Sequence, residues 1–144
     1  MWSAASVLAC ALSVLGRSES SMPRIELIEV APAYVSVGAE AFVQHGTNTI
    51  YLITSSPVFR EAAAGGPPCS GGTAAQKKLA SILAHEEWHV RHGSDEGRAY
   101  EYQLITLIRL GLGPGTGIFR DVQTSMLRVL KARRDGPERV LAQR

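Results

Sequence analysis

His85-Glu86-Glu87-Trp88-His89 sets two imidazoles four residues apart with a carboxylate beside the first. On an α-helix, residues i and i+4 stack on one face, so both rings can grip a single metal ion. Glu86 stands next to that pair, where it can take a proton from a water that the metal acidifies. The chemistry specified is metal-assisted hydrolysis. It needs one further protein ligand and one coordination position left open.

That pattern works only on a helix. The run Thr73–Ala84 leads straight into it with helix formers, no internal Gly or Pro, and Thr73 as a cap after Gly71-Gly72. Leu79, Ile82 and Leu83 form a stripe that His85, Glu86 and His89 continue, so the metal-facing side is also the core-facing side. Gly93 offers a stop, and the pattern predicts a helix over 74–92. A second helix follows at once, capped by Ser94 or Asp95 and closed by Gly111. The link is short enough for an acid of its first turn to reach the two histidines.

Three residues compete to be the third ligand. His92 shares a face with His85, but seven helical residues separate them by about 10 Å, too far for one ion. Asp95 lies six residues after His89, where the metzincin pattern puts its last ligand. In that pattern a glycine bends the chain three residues after the second histidine. Here His92 occupies that place, and Gly93 comes one residue late. The segment Glu96-Gly97-Arg98-Ala99-Tyr100 resembles the glutamate helix of the gluzincins. Their third ligand is a Glu, followed four residues later by a supporting acid with a small residue just before it. Ala99 fits that pattern, and Tyr100 replaces the acid.

The chain therefore resembles small, minimal gluzincin-like zinc metallopeptidases, a zincin group marked by His-Glu-x-x-His. The resemblance covers about residues 48–110. It implies zinc held by His85, His89 and Glu96, with Asp95 as the alternative third ligand. It implies Glu86 as general base, passing its proton to the leaving amine. Tyr100 and His92 are the candidates to support the metal ligands or to donate to the oxyanion. The expected function is a zinc-dependent metallopeptidase acting on a peptide or protein substrate. The alternative is a noncatalytic, zinc-stabilised zincin-like binding domain. The intact Glu86 favours the enzyme, because a structural site needs no general base and tends to close its fourth position.

Upstream, 48–55 is β-branched and apolar and reads as a strand. Residues 24–30 alternate and read as another, and 39–45 as a third, with a turn at His45-Gly46-Thr47-Asn48. The resemblance implies an edge strand beside the active-site helix, to which an extended peptide can add itself. Downstream, Ile118, Phe119, Val122, Met126, Val129 and Leu130 recur at helical spacing. Arg128, Lys131, Arg133, Arg134, Arg139 and Arg144 read there as a solvated basic face. The fold class is α+β: a small zincin-like domain with a short β-sheet packed on an active-site helix, followed by two further helices.

A length of 144 residues suits one domain with one core. A net charge of +2 gives no global field toward nucleic acid. Residues 1–16 carry no charged side chain, and 7–15 is an apolar run of signal-peptide length. The expectation is a signal peptide or N-terminal anchor over 1–21, a metallopeptidase domain over 22–135 and a tail over 136–144. Export to a secreted or periplasmic location follows, with membrane contact only through an uncleaved N-terminal segment. Anchored and cytoplasmic locations are the alternatives. With that leader removed, Cys69 stands alone in the Gly- and Pro-rich linker 64–72. Glu87 and Arg91 read as a solvated i,i+4 pair and Trp88 as a packing residue.

Overall fold

The computed structural model describes residues 2–36, 38–44, 46–65 and 69–135. His45 of the expected turn and the tail 136–144 lie outside the described residues. The fold is α+β, with five α-helices and one three-stranded sheet among the described residues. Helix α1 spans Ala4–Leu15, strands β1, β2 and β3 span Arg24–Ile28, Ala41–Gln44 and Thr49–Ile53, and α2 spans Pro57–Ala64. Helix α3 runs from Ala74 to His92, α4 from Glu96 to Arg109 and α5 from Gly117 to Asp135.

The sheet order is β1-β3-β2, with β1 parallel to β3 and β2 antiparallel to it. The strand expected at the edge, 48–55, is therefore central. Its residues Ile50 and Leu52, two apart and so on one face, are fully buried in the core. The two edges of the sheet belong to β1 and β2. Gly46 and Asn48 take positive φ in the β2–β3 connection, the backbone a tight reversal demands.

Helix α3 is the organising element, and its ends explain its bounds. Thr73 accepts from the Gln76 amide, and the Gln76 side chain accepts in return from the Thr73 amide, a reciprocal capping box. The Gln76 amide group also donates to the Ala62 carbonyl, which ties the start of α3 to the end of α2. Leu79 and Leu83 are fully buried against α1, β3 and α2.

The expected boundary at 21/22 is not a boundary between packed bodies. Val7, Leu8, Ala11 and Leu12 of α1 belong to the same core cluster as Ile50, Leu52, Phe59 and Leu83. Cys10 is disulfide-bonded to Cys69 with a Cα separation of 5.3 Å, so Cys69 is neither alone nor turned toward the histidines. The next turn is tied down as well. Arg17 reaches Glu87 at 3.2 Å, and Arg91 donates to the Ser21 carbonyl at 2.9 Å. Glu87 is thus not in a solvated pair. It is only 3% exposed and is shared between Arg17 and Arg91. Removing one of those arginines would leave a buried carboxylate short of a partner. Among the described residues, no helix is long and apolar enough to cross a membrane.

A core role for α1 predicts that Leu12→Ala lowers stability by about 2–5 kcal/mol, as for other buried leucines. Urea unfolding of the full chain checks this. An unchanged midpoint would mean that residues 4–15 lie outside the folded core.

Candidate metal centre

The α3–α4 pair builds the site. Gly93 ends α3 at φ 110°, a backbone conformation that favours glycine, and Asp95 caps α4 by accepting from the Arg98 amide at 3.1 Å. That turn folds the first residue of α4, Glu96, back over the last two turns of α3. Ala99 is fully buried where the helices meet, so its small side chain lets them approach closely.

His85, His89 and Glu96 each offer one ligand atom, and these atoms lie within 4.8 Å of one another. His85 Nε2 is 3.2 Å from His89 Nε2 and 3.3 Å from Glu96 Oε1. Glu96 Oε1 also makes a close contact with His89 Nε2. Ligand atoms about 2.0–2.1 Å from a tetrahedral zinc ion stand about 3.3 Å apart, so the first two separations suit one cation. The hydrogen bonds fix the ring tautomers to match. His85 Nδ1 lies 2.9 Å from Gln103 Oε1, and His89 Nδ1 lies 2.7 Å from the Gly93 carbonyl. Both partners accept, so each Nδ1 carries its proton and each Nε2 presents a lone pair inward. Two inward lone pairs and a carboxylate repel one another unless a cation or proton stands between them. The donor set, two histidines and one glutamate, is that of a catalytic zinc site with a position left open.

Gln103 escaped the sequence reading. Its side-chain nitrogen donates to Ser81 Oγ at 3.3 Å, which leaves its oxygen for His85. The signal was available: Gln103 is a polar residue seven positions after Glu96, on the apolar face that carries Ala99 and Leu107. The Gly93 carbonyl was missed for a different reason. A glycine at a helix end reads as a stop, and a main-chain acceptor leaves no mark in side-chain patterns.

Glu86 is 9% exposed and turns toward the same cleft as the three ligand residues. Burial pushes its carboxyl above the usual glutamate range, against the pull of His85 and His89, while Glu96 pushes it the same way as burial. Burial also acts against charge on Glu96, but its hydrogen bonds to His85 and His89 win and hold it well below the usual range. Burial opposes protonation of His89 too. Its bonds to Glu96 and the Gly93 carbonyl outweigh that and raise it. Without metal, the close contact of these two partly buried side chains favours the protonated His89 and the ionised Glu96. Tyr100 sets its ring edge-on to His85, with centroids 4.5 Å apart. Burial and the nearby carboxylates push its phenol up to about 12, so it keeps its proton and can donate.

The other candidates fall outside the cluster. His92 is exposed and packs on Trp88 with ring centroids 5.0 Å apart. Asp95 is spent as the α4 cap, with Arg98 beside it at 3.7 Å. The ligand residues, Glu86 and Tyr100 line a cleft of about 810 Å³. One wall is β2, through Phe42, Val43 and Gln44, so the sheet edge beside the site is β2.

Two outcomes follow. Gln103→Leu keeps the volume but removes the acceptor from His85, and zinc affinity falls about 10–100-fold, as read by competition with a chelating dye. The metal-free protein also has a distinct pH dependence. Glu96, lowered in the fold, stabilises above its unfolded value of 4.5 and loses that contribution as pH falls through its folded value. His89, raised, stabilises below its unfolded value of 6.5 and loses that contribution as pH rises through its folded value. Glu86, raised above 4.5, stabilises when protonated and adds to the same loss at rising pH. Chelator-treated protein should therefore unfold more readily at pH 8 than at pH 5.5. His89→Ala should flatten that difference in paired urea titrations.

Comparison of the chain with protein-family models, with curated proteins and with solved structures finds no match.

Proposed function

We propose that this protein is a zinc-dependent metallopeptidase, with His85, His89 and Glu96 as its metal ligands and Glu86 as its general base. The observation that carries the reading is the convergence of those three ligand atoms with Glu86 beside them in one cleft. A structural metal site has no use for a buried, unligated carboxylate next to its ion.

When bound, zinc would supply a Lewis acid that polarises the carbonyl and brings a water's pKa toward neutrality. The chain's own residues do the rest. Glu86 takes the proton of the attacking water. Its raised affinity for protons suits it to hold that proton and pass it to the leaving amine. Tyr100, protonated across the neutral range, donates to the developing oxyanion. Gln103 and the Gly93 carbonyl keep both imidazoles turned inward. The exposed edge of β2 gives an extended peptide a strand to pair with, which would lay its main chain along the cleft.

The disulfide between Cys10 and Cys69 supports an exported location, because such bonds persist in oxidising compartments. In this reading α1 travels with the domain as part of its core.

The test uses the full chain, because α1 packs in the core. Wild type and Glu86→Gln should each hold close to one zinc per chain by elemental analysis, and His89→Ala should hold little. Mass spectrometry of a peptide library should show cleavage by wild type and a loss of about 10²–10⁴-fold or more in Glu86→Gln. Equal zinc with no cleavage by wild type would leave the noncatalytic zinc-stabilised domain as the better account.

A further inference from the structure

The sequence pattern makes the basic C-terminal helix a solvated face; Arg128 and Arg133 are exposed, and one side of α5 borders the cleft. Its residues Asp121, Val122, Ser125, Arg128, Val129 and Arg133 line the cleft that holds Glu86 and the ligand residues. At about 100° per residue these six positions fall within an arc of about 140°, one face of the helix. The packing fixes how that face is aimed. Near its start, Phe119 and Val122 pack on Leu107, toward the end of α4. Farther along, Leu130 Cδ2 lies 3.7 Å from where a Cβ on Gly97 would stand. Helix α5 therefore runs antiparallel to α4, and its arginine-bearing half lies level with the turn that carries Glu96.

Among the other charges of the cleft, Asp121 stands on α5 itself, seven residues before Arg128, with no ion pair to either arginine. Glu40 accepts from the Val58 amide at the start of α2 and feels the charge of Lys78. Glu86 and Glu96 belong to the metal centre. Among the described residues, no carboxylate lies within ion-pair distance of Arg128 or Arg133. The two are five residues apart, about 7.5 Å along the helix and about 140° around it, so they stand at the two margins of the cleft-facing arc and their long side chains can reach toward an anionic group lying between them. Planar, always-charged guanidiniums suit a carboxylate better than any other side chain does.

We propose that Arg128 and Arg133 form a carboxylate-binding subsite that selects acidic peptides and positions them over the metal centre. The carboxylate is either an Asp or Glu side chain or the peptide's own C-terminus. This inference rests on the peptidase reading for its substrate class, and its test separates the two.

Three peptides of one length serve as probes: neutral and amidated, neutral with a free C-terminus, and amidated with one internal glutamate. Their binding is measured on zinc-loaded Glu86→Gln, which holds substrate without turning it over, and their cleavage on wild type. At least one carboxylate-bearing peptide should bind tenfold or more tightly than the neutral one, and which of the two does so identifies the source of the carboxylate. Adding Arg128→Gln and Arg133→Gln should abolish that preference, leave zinc content unchanged and shift the neutral peptide less than about twofold. Arg120→Gln with Lys131→Gln removes the same charge from the opposite face of α5 and should leave the preference intact. A preference that survives loss of the two cleft arginines, or no preference at all, overturns the subsite. Loss of the preference in the Arg120 and Lys131 variant would mean long-range attraction and would overturn it too. If arginine-dependent binding is found but wild type cleaves none of the peptides, the subsite stands and the peptidase reading fails.

Discussion

The fold turns on one demand made of α3: one helix must bury apolar residues on one side and, on another, the polar residues of the candidate metal centre. Leu79 and Leu83 are fully buried on the first side, and the second carries His85 at 7% exposure and Glu86 at 9%. Imidazoles and carboxylates taken out of water must be paired, or the burial costs several kcal/mol per group. Helix α4 answers that demand. Its first residue, Glu96, meets both Nε2 atoms, and Gln103 two turns later holds His85 Nδ1. The sharp Gly93–Asp95 turn follows from the same need, since a longer link would not set Glu96 over the last two turns of α3.

The opposite side of α3 is held just as firmly. Helix α1 covers Leu79 and Leu83, and Cys10–Cys69 ties it to the segment that starts α3. Glu87, inside the signature but on its far side, fastens Arg17 and Arg91. The five-residue signature thus serves two faces: His85, Glu86 and His89 face the candidate metal centre, and Glu87 attaches the N-terminal segment. Both faces belong to one helix, which couples the packing of α1 to the geometry of the cluster.

Local rules made much of this legible in advance. The bounds 74–92 of α3 follow from a Thr-Gln capping box and a glycine stop, and the structure gives the same bounds. The three strands and helices α4 and α5 were readable from period and punctuation. The fate of residues 4–15 was not. An apolar 12-residue helix satisfies the description of a leader and of a core helix equally well, and its tertiary contacts and the Cys10–Cys69 pairing are not written in its own sequence. Helix α2 is eight residues long, too short for its period to stand out. The order β1-β3-β2 was hidden as well, since neighbours in sequence do not reveal which strand is central. Gln103 was visible as a polar residue in an apolar stripe, but its partner lies 18 residues away on another helix.

The departure at Tyr100 now has a physical account. The resemblance to gluzincins implies an acid four residues after Glu96, and the chain places a phenol there and an amide at Gln103 instead. A carboxylate supporter would share the proton of His85 Nδ1 and make the imidazole a stronger donor to the metal. A neutral amide orients the ring without adding negative charge to a cleft that already holds Glu86 and Glu96. A further carboxylate there would push Glu86 up further. Gln103 therefore supports His85 without adding negative charge beside Glu86.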